Sequence, residues 1–193
     1  MFFRRKLLRL SVICFGTMGA SLVSLAQENA DLPDLRRAYD LGEPGAALAL
    51  GTALLESDED AQWAQAIALL EQAASQGAPV YLLIADAYRD GLGVPVNLEK
   101  AANWYRIGAE TGDGLAQFEL GRMYLEGLGL TRDMVQAALY LQLASDRLTD
   151  PRLKEDAEAA LAHAKWGADW KDWQEVKLLL QSWKPKRLSD LLN

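Results

Sequence analysis

Few residues in this 193-residue chain have both the type and the spacing that chemistry requires. Its one histidine, His163, stands among Ala160, Leu161, Ala162 and Ala164, and no acid or nucleophile close in sequence forms a relay with it. It reads as a structural residue. The neighbours Glu155-Asp156 and the run Asp58-Glu59-Asp60 look like acid–base dyads only superficially. Adjacent helical positions point apart, and loop acids are normally solvated, acting as caps or dipole partners. The run also offers too few oxygens at the spacing calcium needs. Gly91-Leu92-Gly93 and Gly127-Leu128-Gly129 have no strand before them and no Lys-Ser/Thr pair after, so neither is a phosphate loop. One Cys and one His make neither a disulfide framework nor a zinc set. The expected catalytic, metal and cofactor residues are therefore none.

The elements around these residues carry more information. The chain has 20 Lys+Arg against 27 Asp+Glu, a net charge of −7, which makes nucleic acid a poor partner. At 50% hydrophobic and 24% charged residues it can build a core and is not a disordered chain. Length alone suggests one domain. Residues 1–26 differ from the rest. Arg4, Arg5, Lys6 and Arg9 precede an apolar run, Leu10 to Leu25, that closes on Ser24-Leu25-Ala26. This is the pattern of a cleavable bacterial signal peptide and predicts a periplasmic protein with no membrane span after cleavage. An uncleaved inner-membrane anchor is the alternative, but 16 residues containing Gly16 and Gly19 are short for a bilayer. Bulky Ile13 before Cys14 argues against lipidation. Cleavage would remove four cations and no acid, taking the net charge from −7 to −11, and would remove the only Cys.

The middle of the chain repeats itself. With residues 78–113 laid over 114–149, Tyr88 meets Tyr124, Gly91 meets Gly127, Gly93 meets Gly129, Ala101 meets Ala137 and Trp104 meets Tyr140. An eroded copy lies upstream, where Ala46, Leu50, Gly51 and Leu54 precede Val80, Ile84, Ala85 and Tyr88. Each copy reads as a helical hairpin. Val80, Ile84 and Tyr88, like Ala116, Leu120 and Tyr124, recur at i, i+4 and i+8, one apolar stripe on a helix. Gly91 and Gly127 stand where a helix must close in a left-handed turn. Gly77 and Gly112 close the second helices, Asn97 and Asp133 cap them, and Pro79 and Pro151 suit a first helical turn. Gly51, Ala85 and Gly121 are expected to face Ala66, Ala101 and Ala137, their small size letting paired helices approach. A lone hairpin cannot bury its apolar face, so stacking must supply the core.

The string Leu120-Gly121-x-x-Tyr124-x-x-Gly127-x-Gly129, with Ala137-x-x-Tyr140 after a loop, resembles the Sel-one-like repeat (SLR), a subfamily of tetratricopeptide-like helical repeats. Tyr88-x-x-Gly91-x-Gly93, with Ala101 and Trp104-Tyr105, is similar. The resemblance implies an all-α fold: a right-handed α/α superhelix, or solenoid, of helical hairpins with a C-terminal capping hairpin. The expected organisation is a signal peptide at 1–26, an N-terminal segment with a short capping helix at 27–43, and a degenerate first repeat at 44–77. Repeats follow at 78–113 and 114–150, then a capping hairpin at 151–184 and a tail at 185–193. Trp173, Val176, Leu180 and Trp183 form a stripe on the last helix, read either as a lid over the open end or as an aromatic docking patch.

Carried over from the tetratricopeptide pattern, the hollow-facing positions are Leu48, Thr52 and Leu55, then Leu82, Asp86 and Arg89, then Phe118, Arg122 and Leu125. Leu48, Leu82 and Phe118 would form an apolar ridge flanked by Asp86, Arg89 and Arg122. Either solvent reaches this ridge, making it a groove for a partner peptide or helix, or it packs between repeats or beneath a terminal helix. The resemblance implies a non-enzymatic adaptor that holds a protein in envelope assembly or in control of a membrane sensor. The alternatives are a structural subunit of a secretion, polymer-export or flagellar machine and, less favoured, a cell-wall or β-lactam hydrolase.

Overall fold

The computed structural model describes residues 31–56 and 60–192. Ten helices and no strand occur among them. They are α1 Leu32–Asp40, α2 Ala46–Leu55, α3 Asp60–Ser75, α4 Tyr81–Asp90 and α5 Leu98–Thr111, then α6 Gly114–Glu126, α7 Met134–Arg147, α8 Pro151–Gly167, α9 Trp170–Ser182 and α10 Leu188–Leu191. The expected signal segment and the acids Asp58 and Glu59 lie outside the described residues. The chain divides into two compact units, residues 1–96 and 97–193, with the boundary in the loop between α4 and α5. Length suggested a single domain. Helical repeats make mostly nearest-neighbour contacts, so such a chain separates more readily than a globule built on long-range pairing.

In the first unit α1 packs on α2, α2 on α3 and α3 on α4. Leu35 of α1, Leu50 and Leu54 of α2, and Leu69 and Ala73 of α3 share one core. Leu50 and Leu54 are almost wholly buried, and burial of a leucine contributes about 2 kcal/mol. Gly51 sets how close α2 and α3 come. A Cβ there would stand 3.2 Å from Leu70 and 3.3 Å from the Ala66 carbonyl oxygen. Val80, Ile84 and Tyr88 are buried, as their spacing predicts. Pro79 departs from expectation: α4 opens at Tyr81 with Val80 as its N-cap, which leaves Pro79 outside the first turn.

In the second unit α5 packs on α6, α6 on α7, and α7 on both α8 and α9. Gly121 lies against Leu141, one turn beyond the expected Ala137. The Tyr124 and Tyr140 rings stack with centroids 6.0 Å apart and planes 1° from parallel. The helix starts follow from local chemistry. Asn97 accepts from the Lys100 amide at 2.9 Å, Asp133 from the Val135 and Gln136 amides, and Asp150 from the Arg152 amide, each taking up donors a first turn leaves unpaired. Pro151 occupies the first turn of α8, as expected. Repeat three ends on Leu148 in extended conformation, without a glycine.

The paired turn glycines have separate jobs. Gly91 and Gly127 end α4 and α6 in left-handed conformation. Gly93 and Gly129, also left-handed, lie against backbone: a Cβ on Gly93 would collide with Trp63 and Ala64 at the start of α3, and one on Gly129 with the Leu98 carbonyl at the start of α5. The second glycine thus presses each turn onto the preceding second helix, a contact no side chain tolerates.

The last helices act as a lid on the second unit. Val176 is fully buried in the same cluster as Ala157, Leu161 and Ala164 of α8, and Trp173 and Leu180 pack against that cluster. The Arg147 guanidinium lies 4.5 Å from the Trp183 ring. Trp166 and Trp170 take no part: they are 93% and 70% exposed.

Candidate functional site

The expected partner residues separate by unit. In the first, Leu48 on α2 is half-buried and leans on the core of α1–α3, while the Thr52 hydroxyl donates to the Leu48 and Ala49 carbonyls at 2.9 Å. Leu82, Asp86 and Arg89 on α4 are each half-buried. Arg89 reaches Asp86 at 3.1 Å and grips both carboxylate oxygens of Asp90 at 3.0 Å. Two carboxylates therefore hold this guanidinium in place beside an apolar residue, a fork of fixed geometry.

In the second unit the expected ridge does not reach solvent. Phe118 and Leu125 are 6% and 7% exposed and belong to the core shared with α7, α8 and α9. Their assignment as partner contacts is corrected. The added helices behind the third repeat cover this face, the packing alternative weighed for the ridge. Arg122 remains exposed, with Glu119 and Glu126 each 3.6 Å away and the Phe118 ring 5.7 Å from its guanidinium.

The sequence reading missed a polar hub centred on Glu110, near the end of α5. Tyr140 donates to Glu110 Oε1 at 2.7 Å, Lys186 Nζ lies 2.8 Å from Oε2, and the Lys186 amide donates to the Glu110 carbonyl at 2.8 Å. The tail is thereby latched to α5, with Pro185 and Trp183 resting on Gly112. Burial, then the hydrogen bond to Glu110, pushes the Tyr140 phenol above its ordinary range. Gln117 went unnoticed too. It is fully buried, and its amide donates to the Ala109 carbonyl at 3.0 Å, satisfying a group at the end of α5. Its only sequence signal was a polar residue beside an apolar stripe; the hub has none, because its partners are far apart in the chain.

His163, Glu155 and Asp156 are exposed on α8. Among the described residues no three His, Cys, Asp or Glu side chains converge as metal ligands. A shallow depression is lined by Gln142, Leu143, Asp146, Arg147, Leu180 and Trp183. No described helix is long and apolar enough to cross a membrane.

Three consecutive segments, residues 38–77, 79–113 and 114–147, match the Sel1 repeat. The chain belongs to the Sel1 repeat family. Sel1 repeats mediate protein–protein interactions, and their fold is generally a non-catalytic scaffold. Solved structures share the fold. A protective antigen present in uropathogenic Escherichia coli strains, displaying an SLR fold, superposes with a TM-score of 0.67 at 22% identity, over 88% of this chain and 38% of that one. A Sel1 repeat protein from Oxalobacter formigenes gives 0.51 at 21% identity, over 93% of this chain and 60% of that one. The present chain thus spans less than two thirds of either. No curated protein matches it. Consecutive helical hairpins, expected from the glycine and tyrosine spacing, are what the Sel1 repeats of this protein form.

Proposed function

We propose that this Sel1 repeat protein is a non-enzymatic adaptor of the bacterial cell envelope, exported to the periplasm by residues 1–26, that holds a protein or peptide partner on the first helices of its repeats. The observation that carries the reading is the set Leu48, Leu82, Asp86 and Arg89 in the first unit. These are half-exposed apolar groups beside a guanidinium fixed by two carboxylates, within repeats of a family that mediates protein interactions. Apolar contact supplies affinity, and the oriented charges set register. Export is supported by the cationic, apolar and small-residue succession of the first 26 residues.

A photo-reactive residue at position 82, introduced in living cells, should cross-link one defined protein, while the same group at exposed Glu155 should not. Leu82→Asp and Arg89→Glu should each abolish the adduct and leave the helical circular dichroism unchanged. Equal cross-linking from positions 82 and 155 would remove this face from consideration. Recovery of the mature protein in fixed stoichiometry with a membrane complex would point instead to a structural subunit of an envelope machine.

A further inference from the structure

The first helices of the first unit, α2 and α4, carry the same gradient along their length. Leu48, Thr52 and Glu56 recur at i, i+4 and i+8 on α2 and its cap, as do Leu82, Asp86 and Asp90 on α4. Each stripe starts on a half-buried leucine and ends on an exposed carboxylate. Both acid ends belong to one end of α3. Glu56 stands four residues before α3 begins at Asp60, and the turn after α4 rests on the same end, with Gly93 against Trp63 and Ala64.

Neither acid serves the helix it ends. The C-terminus of a helix carries partial negative charge, so a carboxylate is disfavoured there and a cation is expected. The last turn of α2 has no basic residue. That of α4 has Arg89, but Asp86 and Asp90 already hold it. Three carboxylates against one guanidinium leave a local charge of −2 beside the two leucines. The surrounding unit has the same sign. Residues 31–96 contain eleven acids, three arginines and no lysine, a net of −8, whereas fifteen acids and thirteen bases give residues 97–193 only −2. The two remaining arginines of the first unit, Arg36 and Arg37, lie on α1. The third repeat breaks the pattern: Phe118 is buried there, and Arg122 takes the place of Asp86.

We propose that the partner segment held by the first unit is cationic, with apolar side chains on Leu48 and Leu82 and lysines or arginines on Asp86, Asp90 and Glu56. Eight helical residues separate leucine from terminal carboxylate, so the apolar and basic groups of the partner lie roughly 12 Å apart. The charges draw the segment in and fix its direction, and the leucines hold it. This names the partner of the face assigned above and rests on that assignment.

The test titrates the full chain with a short synthetic peptide that carries a leucine pair and a lysine cluster at this separation. The control peptide has glutamates in place of the lysines. The lysine peptide should bind at low salt, lose roughly tenfold or more in affinity at high salt, and bind far better than the glutamate peptide. Glu56→Lys, which leaves the Arg89 fork intact, should weaken binding roughly fivefold or more without changing the helical circular dichroism. Glu155→Lys, the same charge change on α8, should leave it unaltered. Equal binding of the two peptides, or full affinity in Glu56→Lys, would overturn the proposal. So would an equal loss in Glu155→Lys, because overall acidity would then attract the peptide without this face. The two readings fail separately. Undiminished cross-linking of a partner from position 82 in Glu56→Lys would remove the cationic partner and leave the adaptor standing, whereas equal cross-linking from positions 82 and 155 would remove the face and this proposal with it.

Discussion

Two glycines of one turn allow the residue scale to be tested cleanly. Gly127 and Gly129 have nearly the same backbone, with φ of 73° and 71°. The nearest atom to a Cβ on Gly127 is Arg132 Cβ at 3.4 Å, whereas a Cβ on Gly129 would lie within the Leu98 peptide. Gly127→Ala should therefore cost only left-handed strain, about 1–2 kcal/mol. Gly129→Ala must also force the turn off α5, and should lower stability by about 3 kcal/mol or more in urea unfolding. Equal losses would mean that the second glycine serves conformation alone. Sequence spacing exposed both glycines, but the reason for the second lies in Leu98, a contact that local pattern does not register. Tyr140 supplies a pH test of the same kind. Its phenol is raised by burial and by Glu110, so above pH 10 the unfolded chain loses a proton that the native state keeps. The contribution is constant below pH 10 and falls as pH rises from there, by about 1.4 kcal/mol per pH unit until the native phenol ionises. Tyr140→Phe should remove that part of the alkaline slope, measured as the difference in unfolding free energy between pH 9 and pH 11.

At the scale of elements, the lid helix α9 combines a legible end with a less legible face. Asp169 accepts from the Lys171 and Asp172 amides at 2.7 and 3.0 Å, and the Asp172 carboxylate accepts from the Asp169 amide at 2.9 Å. Caps of this sort are local in sequence, which is why Asn97 and Asp133 mark helix starts without any tertiary contact. Asp169→Ala should lower the helical stability of α9 by about 1 kcal/mol. Val176→Asp should do far more, because it places a carboxylate where the side chain has no exposure at all. Hydrogen exchange should show α9 losing protection throughout in Val176→Asp and only at its first turn in Asp169→Ala; identical patterns would contradict the lid. The other face of the problem was Phe118 and Leu125. A repeat pattern says which residues line the hollow of an endless array, but it does not say where the array is covered. In the third repeat the helices that follow bring Leu161 and Val176 into the same cluster, and the ridge becomes core.

For the whole molecule, the physical question is how far one local change is felt. Leu50 belongs to the cluster of α1–α3, and Leu141 to the cluster that Phe118 shares with α7–α9. Each unit thus holds a core of its own, and repeat proteins add stability through neighbouring contacts more than through one global nucleus. The length of the chain suggests one domain and carries no information about contact range. The repeat period did carry it: hairpins that match at a fixed offset must find their packing partners nearby in sequence. Leu50→Ala removes a buried side chain with almost no exposure and should cost about 2–5 kcal/mol. In native-state hydrogen exchange that loss should appear as faster exchange in α1, α2 and α3, while α7 and α8 keep most of their protection. Leu141→Ala should give the mirror image, loosening α6 to α9 and sparing α2. If either substitution accelerated exchange equally from α1 to α9, the chain would unfold as one cooperative unit, and its stability would depend on more than the packing within each unit.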